Sequence, residues 1–508
     1  MNKTFCLFIA LLLVCVQGYQ RDAAVENSVA GMLAGRRVWP EPAVFKRESL
    51  TDSSVLSIDP CDFKIEGSDA LLKASGLFGG KIAFGINMYM DIMFGSKGFS
   101  PSFCNTRAPL HTVENATRLL KLVVELGDSK QRSETVETKS ATEAYTIVLG
   151  KNGTGKLVVS SYVALLRGLE TFSQLAVLNT DRAEFNLLAP VYIQDKPDFE
   201  HRGVLVDVAR NFIPCDNLKL VIDGLMYSKM NVLHLHLTDS QSFPVQLTTG
   251  YGPSITEHGA YSANEVYSVK DLQDLIEYGN TKGVAVIPEI DSPGHSRALG
   301  LTPGLEGIIS CANVSGTDYT SCCNEPPCGQ LNPSSELMYK VLQDVVSDVS
   351  SIFSNTSLFH FGFDEVNNNC WTSDPSVAAY LKENNLTVPE MLAQFFSRER
   401  KMLESGVNAV YWDEVVSAGL HTTLGPDDIV QFWHKGDSGL LGQYLKETPY
   451  SNRAILSAYT SYYLDCGTGN EFGQNSWCDP YKTWRTIYFN NFLDGVNQTA
   501  IDIGRIMG

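Results

Sequence analysis

Nowhere in its 508 residues does the sequence carry the roughly twenty consecutive apolar residues that a membrane-spanning helix needs. The run from Phe5 to Val16 at the amino terminus is only about a dozen long. Positive charge is scarce as well: 39 Lys and Arg stand against 57 Asp and Glu, for a net charge of -18 and a pI near 5.0. That balance argues against phosphate backbones or anionic membrane surfaces as main partners, and fits a protein kept soluble in an acidic or extracellular setting. There is no internal repeat of short period and no low-complexity tract, so a solenoid or a disordered tail has no support.

What is present is a chain with 44% apolar residues, enough to bury a large core, and longer than one ordinary domain. Residues 1-18 read as a secretory signal peptide: Lys3 gives a positive start, Phe5–Val16 the apolar centre and Gly18 a small residue for cleavage. Of twelve cysteines, Cys6 and Cys15 fall in that segment, which leaves an even ten for an oxidising compartment. Cys466 and Cys478 flank a Gly-rich loop that they could close. The pairing of Cys311, Cys322, Cys323 and Cys328, with Cys215 and Cys370, stays open, and zinc is the rival reading for the crowded four. Sequons for N-glycosylation begin at Asn115, Asn152, Asn313, Asn355, Asn385 and Asn497.

Two architectures follow one another. Residues up to Phe103 carry turn signals and short apolar runs without long helical periodicity. The runs "RLLKLVVELGD", "EAYTIVLG" and "GKLVVSS" read as strands, and "YVALLRGLETFSQL" as an amphipathic helix, so residues 19-195 form a small α+β domain. Residues 196-508 alternate buried strands with helix-length segments: "GVLVDVA", "MNVLHLHLTD", "GVAVIPEID", "SLFHFGFDE", "NAVYWDE", "DIVQFW" and "RAILSAY". That pattern predicts an α/β fold, a parallel TIM-type (β/α)8 barrel preceded by the small domain. Seven strands are visible and "AIDIGRIMG" opens one more, so the eighth β/α unit is expected to be truncated.

The strand ends carry the chemistry. Asp207, Arg210, His236, Asp239, Glu289, Asp291, His295, Asp364, Glu365, Asp413 and Glu414 all close apolar runs, where a β/α barrel gathers its reactive groups. Asp364 and Glu365 are adjacent, so they can share one site only if the pleat breaks there. Like charges this close raise at least one pKa, which keeps a carboxyl group protonated as an acid. A helix N-cap is the plain alternative for such a pair. His234 and His236 share one strand face, a spacing found in metal-dependent barrel hydrolases, although later strand ends offer mainly carboxylates and aromatics. Trp412, Trp433, Tyr462 and Tyr463 sit at late strand ends, and flat apolar faces beside carboxylates suit a sugar ring.

Taken in order, "HRGVLVDVARNFIP", "NVLHLHLTDSQSFP", "PEIDSPGHS", "HFGFDEV", "YWDEV" and "SWCDPYKTW" resemble the family 20 glycoside hydrolases, the β-N-acetylhexosaminidases. "LLRGLETFSQL" is similar to the end of that family's small amino-terminal domain. The resemblance implies exo-hydrolysis of terminal GlcNAc or GalNAc from glycans or chitin oligomers, with no cofactor and no metal. Its mechanism is retaining and substrate-assisted: the 2-acetamido group closes on C1 as an oxazolinium ion. Glu365 would be the acid and then the base, and Asp364 would orient the acetamido group. Arg210 would bind the C3 and C4 hydroxyls, Tyr463 the acetamido carbonyl and Asp465 hydroxyls toward C6. Trp412 and Trp433 would wall the pocket, with Asp239 and His295 as supports. Phe363 stands where many relatives have a small residue, and the family's last strand, with a Trp and a Glu that line the site, does not follow "IGRIMG". A homodimer and a lysosomal, vacuolar or extracellular location are further expectations. Two rivals remain: a catalytically inactive sugar-binding or regulatory form, and a metal-dependent barrel hydrolase using His234 and His236.

Overall fold

The computed structural model describes residues 38–47, 54–68, 77–95, 104, 116–127, 140–179, 184–314, 316–434, 439–467, 478, 480–502 and 504–508. The segment read as a signal peptide and the sequon at Asn115 lie outside them. No helix of the described residues is long and apolar enough to cross a membrane.

Two compact units emerge. The first holds the described residues up to Glu200 with Ile222–Asn231 and Gly279–Val284, the second the remaining described residues of His201–Gly508. In the first, strands β1 (Val44–Arg47), β2 (Ser54–Ile58), β3 (Lys64–Gly67), β4 (Thr117–Arg118), β5 (Lys121–Leu126), β6 (Tyr145–Leu149), β7 (Gly155–Val159), β8 (Val177–Asn179), β9 (Glu184–Ala189) and β10 (Val191–Asp195) build two sheets. Their orders are β1-β10-β6-β7-β5-β3 and β4-β2-β9-β8. The anticipated helix spans Tyr162–Leu175, opened by Ser161, whose side chain accepts from Ala164 N, and it buries Leu165, Leu166, Leu169 and Phe172.

One expectation is corrected here. Leu77–Phe94 is an 18-residue helix in a region read as lacking helical periodicity. Its sequence, LFGGKIAFGINMYMDIMF, is apolar on almost every face, so no polar stripe marks the turn of the helix.

The second unit is built on β11 (Gly203–Asp207), β12 (Val232–Thr238), β13 (Ala285–Ser292), the short hairpin β14 (Ile309–Ser310) and β15 (Gln330–Leu331), then β16 (Leu358–Gly362), β17 (Asn408–Trp412), β18 (Ile429–Phe432) and β19 (Arg453–Leu456). The seven longer strands pair in parallel in sequence order, β11-β12-β13-β16-β17-β18-β19. Every residue of β12, β13 and β16 is buried, as a sheet covered on both faces requires. Arg505–Gly508 lie beside β19: Ala454 N donates to Arg505 O, Met507 N to Ala454 O and Leu456 N to Gly508 O, at 2.7–2.8 Å. On their other side His201 N donates to Met507 O at 2.8 Å, so these four residues take the eighth place in the ring. Val232, Ile287, Leu358, Val410, Ile429, Ile455 and Met507, one from each of seven successive places, fill a layer of the interior. The fold is a TIM-type barrel with a small α+β unit before it.

Candidate active site

The end of β16 answers how two adjacent carboxylates share one site. Gly362, Phe363 and Glu365 all take positive φ, at 70°, 77° and 54°, so the pleat is abandoned just where the carboxylates begin. For the two non-glycine residues the left-handed region costs about 1–2 kcal/mol each. Position 362 must be glycine, because a Cβ there would collide with the Asp291 carboxylate. Opposite it the β13–β16 register shifts between Glu289 and Ser292, a bulge of the kind that re-aims side chains at barrel rims. Phe363 turns away from the carboxylates and packs against Phe395, Phe396 and Tyr411. The N-cap alternative fails for Asp364: the next helix, Asn368–Ser373, is capped by Asn367, which accepts from Asn369 N and Cys370 N.

A chain of charged contacts leads to the pair. Arg210 Nη2 lies 3.0 Å from Asp239 Oδ2, and its Nη1 bonds Asp207 Oδ2 at 2.9 Å. Asp239 also meets His236 Nε2 at 2.9 Å and His295 Nδ1 at 3.3 Å. The far nitrogen of His295 is 3.2 Å from Glu365 Oε2 and 3.8 Å from Asp364 Oδ2. His236 Nδ1 and His234 Nε2 both approach Glu289 Oε2, at 3.0 and 2.9 Å, and Trp412 Nε1 donates to Glu289 Oε1 at 2.9 Å. The two histidines thus share a strand face, as their spacing predicts, and both address a buried carboxylate. His234, Glu289 and His360 lie close enough to hold a cation, but all three are buried in the barrel core beneath Trp412.

These contacts divide the two carboxylates electrostatically. Burial, reinforced by the charges of Glu289 and Glu365, pushes the Asp364 carboxyl up against the pull of His295. Burial also acts to raise Glu365, but the hydrogen bond and charge of His295, with a hydrogen bond from Asn324, hold it below the usual carboxylate range. His295 itself is raised well above an ordinary imidazole: Asp239 and Glu365 overcome its desolvation. The lowered carboxyl of the pair is therefore Glu365, beside the raised imidazole of His295, and the raised one is Asp364. Asp364 Oδ1 is buried with no hydrogen-bond partner among the described residues, an acceptor awaiting a donor.

A second group gathers the late aromatics. Trp433 Nε1 donates to both oxygens of Glu414, at 3.1 and 3.0 Å, and its ring stacks on Tyr463 with centroids 6.3 Å apart. Burial, with the charges of Asp364 and Asp413, raises Glu414 to about 9. Burial raises the Tyr463 phenol too, with Asp364 and Asp465 among the charges that act on it. His434 Nδ1 bonds Asp413 Oδ1 at 2.8 Å. Asp465 is exposed beside Cys466, which pairs with Cys478 as anticipated.

Sequence reasoning missed the loop that overhangs Arg210 and Glu365. Cys323–Cys328 closes it and Cys311–Cys370 ties its base to the helix after Glu365; with Cys61–Cys104 and Cys466–Cys478 these pair eight cysteines, and among the described residues Cys215 and Cys322 remain thiols. Its Asn324 bonds Glu365, and its Glu325 reaches Arg210 Nη2 at 3.0 Å and accepts from Gln241 at 3.2 Å. The crowding of cysteines around "CNEPPC" was the available signal.

Comparison with known proteins places this geometry. Residues 199–505 match the profile described as "Glycosyl hydrolase family 20, catalytic domain", and residues 38–175 the one described as "beta-acetyl hexosaminidase like". The chain is 33% identical over 366 residues to a chitooligosaccharidolytic β-N-acetylglucosaminidase of Bombyx mori, which covers 69% of this chain and 60% of that protein. It is 30% identical over 439 residues to β-hexosaminidase 1 of Arabidopsis thaliana, covering 84% and 73%. The chain thus spans 60% of the length of the silkworm relative. Among solved structures, a family 20 exo-β-N-acetylglucosaminidase of Vibrio harveyi in complex with N-acetylglucosamine superimposes with a TM-score of 0.67 at 19% identity, over 92% of this chain and 68% of that one. The N-acetyl-β-hexosaminidase of Streptomyces plicatus gives 0.64 at 19% identity, over 92% and 83%.

Proposed function

The chain belongs to glycosyl hydrolase family 20, and from that premise we propose that it is an exo-acting β-N-acetylhexosaminidase working with retention through the substrate's own 2-acetamido group. The observation that carries this reading is the end of β16, where a carboxylate with an unpartnered oxygen stands next to one linked to an imidazolium. Asp364 accepts from the acetamido N–H and orients the carbonyl oxygen toward C1, while its charge stabilises the positive charge that develops on the ring being formed. Glu365 in its protonated form gives its proton to the glycosidic oxygen as the C1–O bond breaks; the carboxylate so formed then takes a proton from the water that opens the oxazolinium ion, which restores the acid. C1 and C2 are bonded neighbours, so consecutive residues suffice to serve them.

Arg210, already ordered by Asp207 and Asp239, presents its fork to the C3 and C4 hydroxyls. Tyr463 donates to the acetamido carbonyl, Trp412 and Trp433 wall the acetamido pocket, and Asp465 meets hydroxyls toward C6. Substrates are N-acetylhexosamine-terminated glycans, with chitin oligomers supported by the name of the silkworm relative. The chain acts in the secretory pathway or outside the cell.

Glu365→Gln is expected to lose about 10²–10⁴-fold in turnover on substrates with poor leaving groups while keeping its melting temperature. Unchanged hydrolysis of chitobiose would remove Glu365 from the role of acid. Asp364→Asn is expected to fall in kcat on the same substrates, and full turnover by that variant would count against assistance by the acetamido group.

A further inference from the structure

A cavity of about 370 Å³ opens at the other end of the barrel from Asp364 and Glu365. It lies where residues 353–357 lead into β16 and residues 404–407 lead into β17. Its volume falls within the range of small-molecule sites, and its wall is rich in hydroxyls. Ser350 contributes an Oγ that is buried without a hydrogen-bond partner among the described residues. Glu404 is the only charged side chain of the lining among the described residues. A neutral, polyhydroxylated occupant fits such a wall better than an ion or an apolar molecule.

The rim supplies the occupant. Asn355, Thr356 and Ser357 line the cavity and form an Asn-Thr-Ser sequon, with Asn355 and Ser357 exposed. Neither of those two side chains is hydrogen-bonded within the described residues, whereas Thr356 Oγ1 is occupied by Leu358 N at 3.2 Å. Three other sequons differ. Asn152 Oδ1 accepts from the Thr154 backbone and hydroxyl in a tight turn, and Asn497 Oδ1 accepts from Thr499 N. Asn385 caps a helix in the left-handed conformation, and the Thr387 hydroxyl of its sequon is tied to Glu390. Four disulfides fit a chain matured where asparagine is glycosylated.

We propose that Asn355 carries an N-linked glycan and that its first N-acetylglucosamine lies in this cavity, bonding the Ser350 hydroxyl and bracing the turn that starts β16. Covalent attachment at the rim holds the sugar at high effective concentration, so a few weak polar contacts are enough to keep it seated. The outer sugars project into solvent.

The test uses the full chain secreted from a host that adds high-mannose glycans. One portion is trimmed with endoglycosidase H, which leaves the first N-acetylglucosamine on asparagine, and another is stripped with peptide N-glycosidase F, which removes it and leaves aspartate. Glycopeptide mass spectrometry is expected to find Asn355 occupied. The stripped protein is expected to melt about 1–3 °C below the trimmed one. Ser357→Ala, which deletes the sequon but keeps Asn355, should abolish that difference, and Asn355→Asp should match the stripped protein. Turnover should be the same in all of these forms. An unmodified Asn355 peptide, equal melting temperatures for the two digests, or a difference that survives in Ser357→Ala would overturn the proposal.

Discussion

The ionisation of Glu365 is set by a residue on another strand end. His295 donates to it, and Asp239 behind His295 keeps the imidazole charged. His295→Asn removes the contact that holds Glu365 low, so the Glu365 pKa should rise. An acid works while protonated and fails as pH climbs through its pKa; the alkaline limb of kcat/KM is therefore expected to move to higher pH as kcat falls about tenfold. A limb that stays put or moves down would show that His295 does not govern the acid. At this scale the sequence was informative about which residues matter and less so about their charge. Adjacent Asp364 and Glu365 announce a raised pKa, but which of the two is raised depends on His295, Glu289 and Asn324, whose approach no spacing rule contains. The buried environment of Glu414, lifted to about 9 by burial first and by Asp364 and Asp413 next, was equally hidden.

Elements position these residues through strain and burial. The left-handed turn at the end of β16 depends on Gly362, so Gly362→Ala should both clash with Asp291 and disfavour the φ of 70°. We expect a loss of about 2 kcal/mol or more in urea unfolding and at least a tenfold loss of turnover. A variant with native stability and activity would mean that the turn does not need glycine. The helix Val388–Arg400 makes a second case. Its Glu399 is completely buried, and burial pushes the carboxyl well above its ordinary value, opposed by the hydrogen bond from Ser292. A raised carboxyl favours the folded state below the unfolded pKa of about 4.3 and loses that contribution as pH rises toward the folded value. Glu399→Gln should thus leave stability at pH 5 within about 1 kcal/mol of wild type and exceed wild type by about 1–2 kcal/mol at pH 8. Parallel urea melts at the two pH values decide it, and an equal effect at both would refute the ionisation argument.

Legibility in the sequence also varied by element. All seven long barrel strands were visible because a sheet buried on both faces leaves continuous apolar runs, such as Val232–Thr238 and Ala285–Ser292. Leu77–Phe94 was not, since a helix apolar on nearly every face has no periodic contrast to detect. The strand Val191–Asp195 was not read as a strand, because its pairing with β1 and β6 is long-range and its own length is only five residues.

Across the whole molecule, the ring of parallel strands brings together groups scattered from Asp207 to Tyr463, and the short run Arg505–Gly508 completes the circle between β19 and His201. That closure keeps the strand ends of β11 and β19 on one rim, which is what Arg210 and Tyr463 need if they are to serve one sugar. The most direct test of the account is to follow hydrolysis of 4-nitrophenyl β-N-acetylglucosaminide by the purified secreted chain with ¹H NMR, in buffer containing EDTA, and to record the anomer first released. The account predicts turnover with β-N-acetylglucosamine appearing before mutarotation. No turnover, or release of the α anomer first, would contradict it.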